Sequence, residues 1–206
     1  MMQTKRRLRH VSQAMLLAAM LFSGWPSVAK EQNASASSPK EEAKNAAEFK
    51  EFLDRVQTYV ALHRRVNSSL PALKPTALTE MIAAHQQALA RKIRDARPNA
   101  KLGDIFSEKS RLAFRRGVKD EFQGPHGHGA RATIRQGDPL KEVHLRVNET
   151  YPDGAPFTTV PPTLLLKFPK LPDEVAYRIV GSDLILLDVD ANLVIDSIYG
   201  IFPQTI

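Results

Sequence analysis

The stretch "AYRIVGSDLILLDVDANLVIDSI", residues 176–198, decides the fold. It holds three apolar runs, Ala176–Val180, Leu184–Leu187 and Leu193–Ile198. Gly181-Ser182 separates the first two, and Asp190-Ala191-Asn192 separates the last two. Glycine, serine, aspartate and asparagine favour tight turns, so the pattern predicts a three-stranded antiparallel meander. Leu184–Leu187 is apolar on both faces, which makes it the middle strand, covered on both sides. A meander of this size is marginal in isolation. Its cover must come from the rest of the chain.

That cover lies upstream. Phe49, Phe52, Leu53, Val56, Tyr59, Val60 and His63 recur at intervals of three and four, one apolar helical stripe. "NSSLP" at 67–71 stops it, and "PALKP" is a stiff connector. Thr76 is placed to cap a second helix whose stripe is Leu78, Ile82, His85, Leu89, Ile93 and Ala96, ended by Pro98. Helices joined this closely are expected to pack as an antiparallel pair. "GDIF" at 103–106 breaks the chain, and Ser107 is placed to cap a third helix reaching Phe122, with Leu112, Val118 and Phe122 inward.

Beyond Phe122 the texture changes. "QGPHGHGAR" reads as a glycine-rich loop, and "TIRQGDP" as a short helical turn and a bend. Val143, Leu145 and Val147 alternate with His144 and Arg146, the pattern of a half-buried strand. "YPDGAP" is turn chemistry. "PPTLLLKFPKLPDE" reads as a one- or two-turn helix started by proline, then a rigid linker. The fold class expected is therefore α+β. A helical hairpin and a third helix (45–122) pack on a loop and a small C-terminal sheet (123–200), as one domain over 45–200.

The first residues concern destination. Lys5, Arg6, Arg7 and Arg9 precede the uncharged run Val11–Trp25, and Ser27 and Ala29 stand two apart after it. This is the layout of a secretory signal peptide over 1–29, cleaved after Ala29. The alternative, a membrane anchor, needs about 20 apolar residues. Residues 30–44, "KEQNASASSPKEEAK", are polar and read as a flexible linker. The whole chain of 206 residues carries 29 Lys+Arg against 22 Asp+Glu. Losing residues 1–29 removes four bases and no acid, which leaves a net charge of +3. A nucleic-acid partner normally requires a concentrated basic field, so none is expected. The absence of cysteine rules out a disulfide framework, a thiolate metal site, a cysteine nucleophile and a lipid-modified amino-terminal cysteine.

The segments "GDIF" (103–106), "RVNETYP" (146–152), "TVPPTLL" (159–165) and "LPDEVAYRIVGSDLILLDVDANLVIDSI" (171–198) together resemble a family of exported bacterial proteins of uncharacterised activity. That resemblance spans roughly residues 49–198 and implies export from a bacterium without bringing an activity. The final hairpin is also similar to the terminal hairpin of small periplasmic nickel/cobalt-homeostasis proteins. It departs from them after Asp188, where a threonine-glycine turn is expected in place of "DAN".

Two groups could hold a metal. Asp188, Asp190 and Asn192 have D-x-D-x-N spacing, which suits oxygen-seeking cations. The positions that an EF-hand loop fills with glycine and glutamate are Leu193 and Tyr199, so a solvated turn is the expected reading. His126 and His128, with His144 as a third donor, could take nickel, copper or zinc. The bland reading is a solvated loop. Arg111, Arg115 and Lys119 form a basic row on the third helix, expected to be a solvated face; peripheral contact with anionic lipid or an acidic partner is the alternative. His63 and His85 are expected to be core histidines satisfied by hydrogen bonds. Arg178, Asp183 and Asp196 are expected to form a structural pair or small network at the sheet edge. Nucleophile-elbow, zinc-protease, phosphate-loop and dinucleotide signatures do not occur in the sequence, and no cofactor is expected. The functional expectation is an exported, periplasmic or extracellular, non-enzymatic protein of the bacterial envelope with a binding or structural role, its partner an envelope protein or small ligand. Metal homeostasis and a hydrolase with dispersed catalytic residues are the alternatives.

Overall fold

A computed structural model describes residues 39–73, 78–136, 145–152 and 158–203, with side chains for all of these except 39–45, 135 and 136. These residues all belong to one compact unit. The signal peptide, most of the polar linker, Thr76, Val143, His144 and the centre of "YPDGAP" lie outside the described residues.

The architecture is α+β. Helices α1 (Pro39–Ser68), α2 (Thr79–Ala96), α3 (Glu108–Gln123), α4 (Gly127–Gln136) and the short α5 (Pro162–Leu165) precede strands β1 (Val175–Val180), β2 (Asp183–Asp188) and β3 (Leu193–Ile198). The strands form one antiparallel sheet in the order β1-β2-β3. Gly181 turns the first hairpin at φ 56°, and Asn192 turns the second at φ 48°, both in the left-handed region that these residue types tolerate. Every residue of β2 is buried, as a middle strand covered on both faces requires.

One face of the sheet packs on the helices. Val175, Tyr177, Ile179, Leu184, Leu186, Leu193 and Ile195 join Phe52, Val56, Leu89, Ile93 and Phe114 in the main core. Phe114 is its hub, with ring centroids 4.7–5.8 Å from those of Phe49, Phe52, Phe106, Phe168 and Tyr177. The opposite face (Val180, Ile185, Leu187 and Val194) is covered by Leu145 and Tyr151.

The second cover corrects an expectation. Residues 145–147 are not a strand, because Asn148 turns the backbone at φ 65°. The chain instead runs irregularly beside β3. Asn148 N donates to Val194 O, Val194 N to Glu149 O and Tyr151 N to Asn192 O, with a single bridge between Thr150 and Leu193.

The helices depart from expectation in several places. The linker does not extend to 44, since α1 begins at Pro39. Proline in the first turn followed by Glu41, Glu42, Ala43 and Lys44 is a good helix start. "GHGARATIRQ" is a helix rather than a loop, because Ala130 and Ile134, four apart, give it a buried face. Gly127 is required at the entry to α4, where a Cβ would lie 2.3 Å from Phe122 O. The inward arc of α3 is Ser110, Ala113, Phe114, Val118, Glu121 and Phe122, which leaves Leu112 exposed. On α2 only Leu89, Ala90 and Ile93 are buried, and Leu78 and Ile82 are exposed. Ser107 caps α3 as expected, its side chain accepting from Ser110 N.

A bulge in β3 sets the direction of Asp196. Leu186 pairs with Asp196 but Leu187 pairs with Val194, so Ile195 is the extra residue. Bulges re-aim side chains. Here the bulge turns both Ile195 and Asp196 toward the helices, since residues paired across strands share a face.

Candidate functional site

Two buried carboxylates fasten the helices to this sheet. Asp188 ends β2 on the same face as Leu184 and Leu186, because side chains alternate along a strand. Its Oδ2 accepts from the Tyr59 hydroxyl at 2.6 Å and lies 2.6 Å from His63 Nδ1. Its Oδ1 accepts from the backbone N–H groups of Asp190 (3.1 Å) and Ala191 (2.8 Å). The turn reading of this hairpin therefore holds in its chemistry, since aspartate bonds its own backbone. The solvated part of that reading does not hold for Asp188, whose side chain is 0% exposed; Asp190 is 52% exposed.

His63 meets a second carboxylate, with Nε2 3.3 Å from Asp190 Oδ2. Among the described residues only Nδ1 makes a hydrogen bond, but a carboxylate near each nitrogen favours the imidazolium form. Burial works against that charge, but the hydrogen bond and charge of Asp188, with Asp190 and Glu174, outweigh it and raise the pKa of His63 above its ordinary value. Burial and the neighbouring Asp188 charge push the Tyr59 phenol far upward, so it remains a donor. His85 bonds Asn67 Oδ1 through Nε2 at 2.9 Å. Both helix histidines are thus satisfied by hydrogen bonds.

Asp196 fastens the "GDIF" loop. Its carboxylate accepts from Gly103 N (2.9 Å), Ile105 N (2.8 Å), Phe106 N (2.8 Å) and its own neighbour Ser197 N (2.8 Å). Burial raises its pKa, and the four N–H groups oppose the rise. Arg55 holds the same loop from the other side, donating to Gly103 O (3.2 Å), Asp104 O (2.9 Å) and Glu51 Oε1 (2.5 Å). Asp183 accepts from Gly200 N at 2.8 Å, and Arg178 donates to Tyr177 O. Asp183 thus holds the chain just after β3, whereas Asp196 holds the loop before α3.

A cleft of about 630 Å³ opens between α1, the end of α2 and the 103–106 loop. Positions 55, 58, 59, 62 and 65 of α1 line one wall, at helical spacing. Ala96, Arg97, Asp104 and Ile105 close the other sides. The Arg97 guanidinium lies 5.0 Å above the Tyr59 ring, a cation–π contact. Its Nη1 is buried with no hydrogen-bond partner among the described residues. Neither Arg65 nor Arg97 has a carboxylate partner among the described residues.

The residues singled out in the sequence lie elsewhere. His126 and His128 are exposed, at the entry to α4 and in its first turn. Asp188 and Asp190 face His63, and Asn192 donates to Tyr151 O at 2.9 Å. Among the described residues, no group of three His, Asp or Glu side chains could hold a metal ion. In the basic row, Arg111 pairs with Glu108, and Arg115 donates to Tyr199 O and Gly200 O. Among the described residues, no helix is long and apolar enough to cross a membrane. No family model matches the chain, and no curated protein or solved structure matches it at a significant level.

Proposed function

We propose that the protein is an exported component of the bacterial envelope that binds a small ligand in this cleft without transforming it. The observation that carries the reading is the cleft, whose volume of about 630 Å³ falls in the range of small-molecule sites. Its walls offer guanidinium groups and apolar surface, which is recognition chemistry. His63, an acid–base group nearby, is 1% exposed and hydrogen-bonded to Asp188, so it is closed to a substrate. Export is supported by the basic start, the uncharged run and the small-residue exit of residues 1–29, and by the likeness to exported bacterial proteins.

Two measurements test this. Fractionation of the producing bacterium should find a chain shortened by residues 1–29 outside the cytoplasm; a full-length cytoplasmic chain would refute export. A fragment screen by amide NMR should shift Thr58, Leu62 and Ile105 together. Turnover of a ligand seated there would refute the non-catalytic reading.

A further inference from the structure

The charges lining the cleft are unequal. Arg55, Arg65 and Arg97 face it against the single carboxylate of Asp104. Arg55 is occupied by Glu51 and two carbonyls. Asp104 is partly occupied as well, accepting from Lys101 N at 2.9 Å. Among the described residues Arg65 and Arg97 have no anionic partner, and they stand on two different elements, α1 and the residue after α2. Arg65 is exposed and Arg97 half-buried, so N–H donors of both can meet an anion that enters the cleft. Beside the cations stand Leu62, Ile105 and the Tyr59 ring, an apolar wall against which a hydrocarbon body can lie.

We infer that the cleft takes a small ligand with an anionic oxygen head, a carboxylate or phosphate, on an apolar body. The head lies between Arg65 and Arg97 and the body against Leu62 and Ile105. Guanidinium forks match the oxygens of both head groups, and two guanidinium groups lining one cleft from different elements favour an anion over a neutral polar head. This inference rests on the cleft being a binding site, and it adds the class of ligand.

The test titrates the purified protein with octanoate, octyl phosphate and 1-octanol, read by amide NMR and calorimetry. Octanoate or octyl phosphate should shift Thr58, Leu62 and Ile105 and bind at least about tenfold more tightly than 1-octanol, the loss expected when a charged hydrogen bond is removed. Comparing the two anions tells carboxylate from phosphate. Arg65→Gln and Arg97→Gln should each weaken the anion about tenfold or more and flatten its salt dependence. Arg65 is exposed, so Arg65→Gln keeps the fold even where Arg97→Gln lowers stability; a thermal melt of each variant checks this. If 1-octanol binds the cleft as tightly as the anions, or if neither variant weakens them, the anion inference falls and the binding site stands. If no probe shifts the cleft, both fall.

Discussion

Replacing His63 should expose how the fold is held. Its imidazolium is the only cation in direct contact with the 0% exposed Asp188 carboxylate among the described residues. His63→Ala strands that carboxylate with the Tyr59 hydroxyl and two backbone N–H groups. Removing one partner of a buried ion pair typically costs about 3–5 kcal/mol. In a domain of this size that lowers the melting temperature by roughly 6–20 °C.

The pH dependence is the sharper readout. The pKa of His63 is raised in the folded protein, so the native state holds a proton that the unfolded chain releases above about pH 6.5. The stabilisation is fully present below that pH and is lost as pH rises through the folded value. Within this window, unfolding free energy should fall by up to ~1.4 kcal/mol per pH unit from this one proton. His63→Gln fits a similar space without the titration, so its urea-unfolding curves between pH 6 and 9 should lack that slope. Parallel pH profiles for wild type and His63→Gln would refute the imidazolium assignment. A loss below 1 kcal/mol in His63→Ala would refute the clamp.

Other substitutions probe the remaining supports. Tyr59→Phe removes one bond to Asp188 and should cost about 1.5–3 kcal/mol in urea unfolding, the range for a hydrogen bond to a charged group. Asp196→Ala leaves the N–H groups of Gly103, Ile105 and Phe106 without their acceptor; hydrogen exchange at these three amides should accelerate more than elsewhere. Phe114→Ala empties the centre of the aromatic cluster and should cost about 3–5 kcal/mol by thermal melting. Leu166→Ser, at a position 87% exposed, should change stability by no more than about 0.5 kcal/mol.

Much of this frame was legible in the residues. The three strands fall where the alternation of apolar runs and turn residues puts them, and β2 is buried on both faces. Asp188 carried a signal too, since its even spacing from Leu184 and Leu186 assigns it to the buried face. The acid-rich turn beside it pointed instead to water. Asp196 carried no such signal, because its orientation depends on the bulge at Ile195, which turns it toward the 103–106 loop. The α4 helix was hidden by its glycines, whose low helix propensity is offset by the burial of Ala130 and Ile134. The cleft was hidden for a different reason. Arg65 and Arg97 lie 32 positions apart in the chain and face one cleft only once α1 and α2 have docked.

The clamps also determine how the cleft can behave. Its α1 wall is tied to the sheet by Tyr59 and His63 through Asp188, and its loop wall by Asp196. Arg55 then bridges the two walls directly. A ligand entering such a space finds the walls already ordered, so less of its binding free energy is offset by freezing loops. Tyr59 belongs to both systems, its hydroxyl on Asp188 and its ring under Arg97. A perturbation of the His63–Asp188 pair therefore reaches the cleft through one side chain. If anion binding requires the clamp, affinity should weaken as pH rises through the His63 pKa in wild type, and this pH dependence should be absent in His63→Gln.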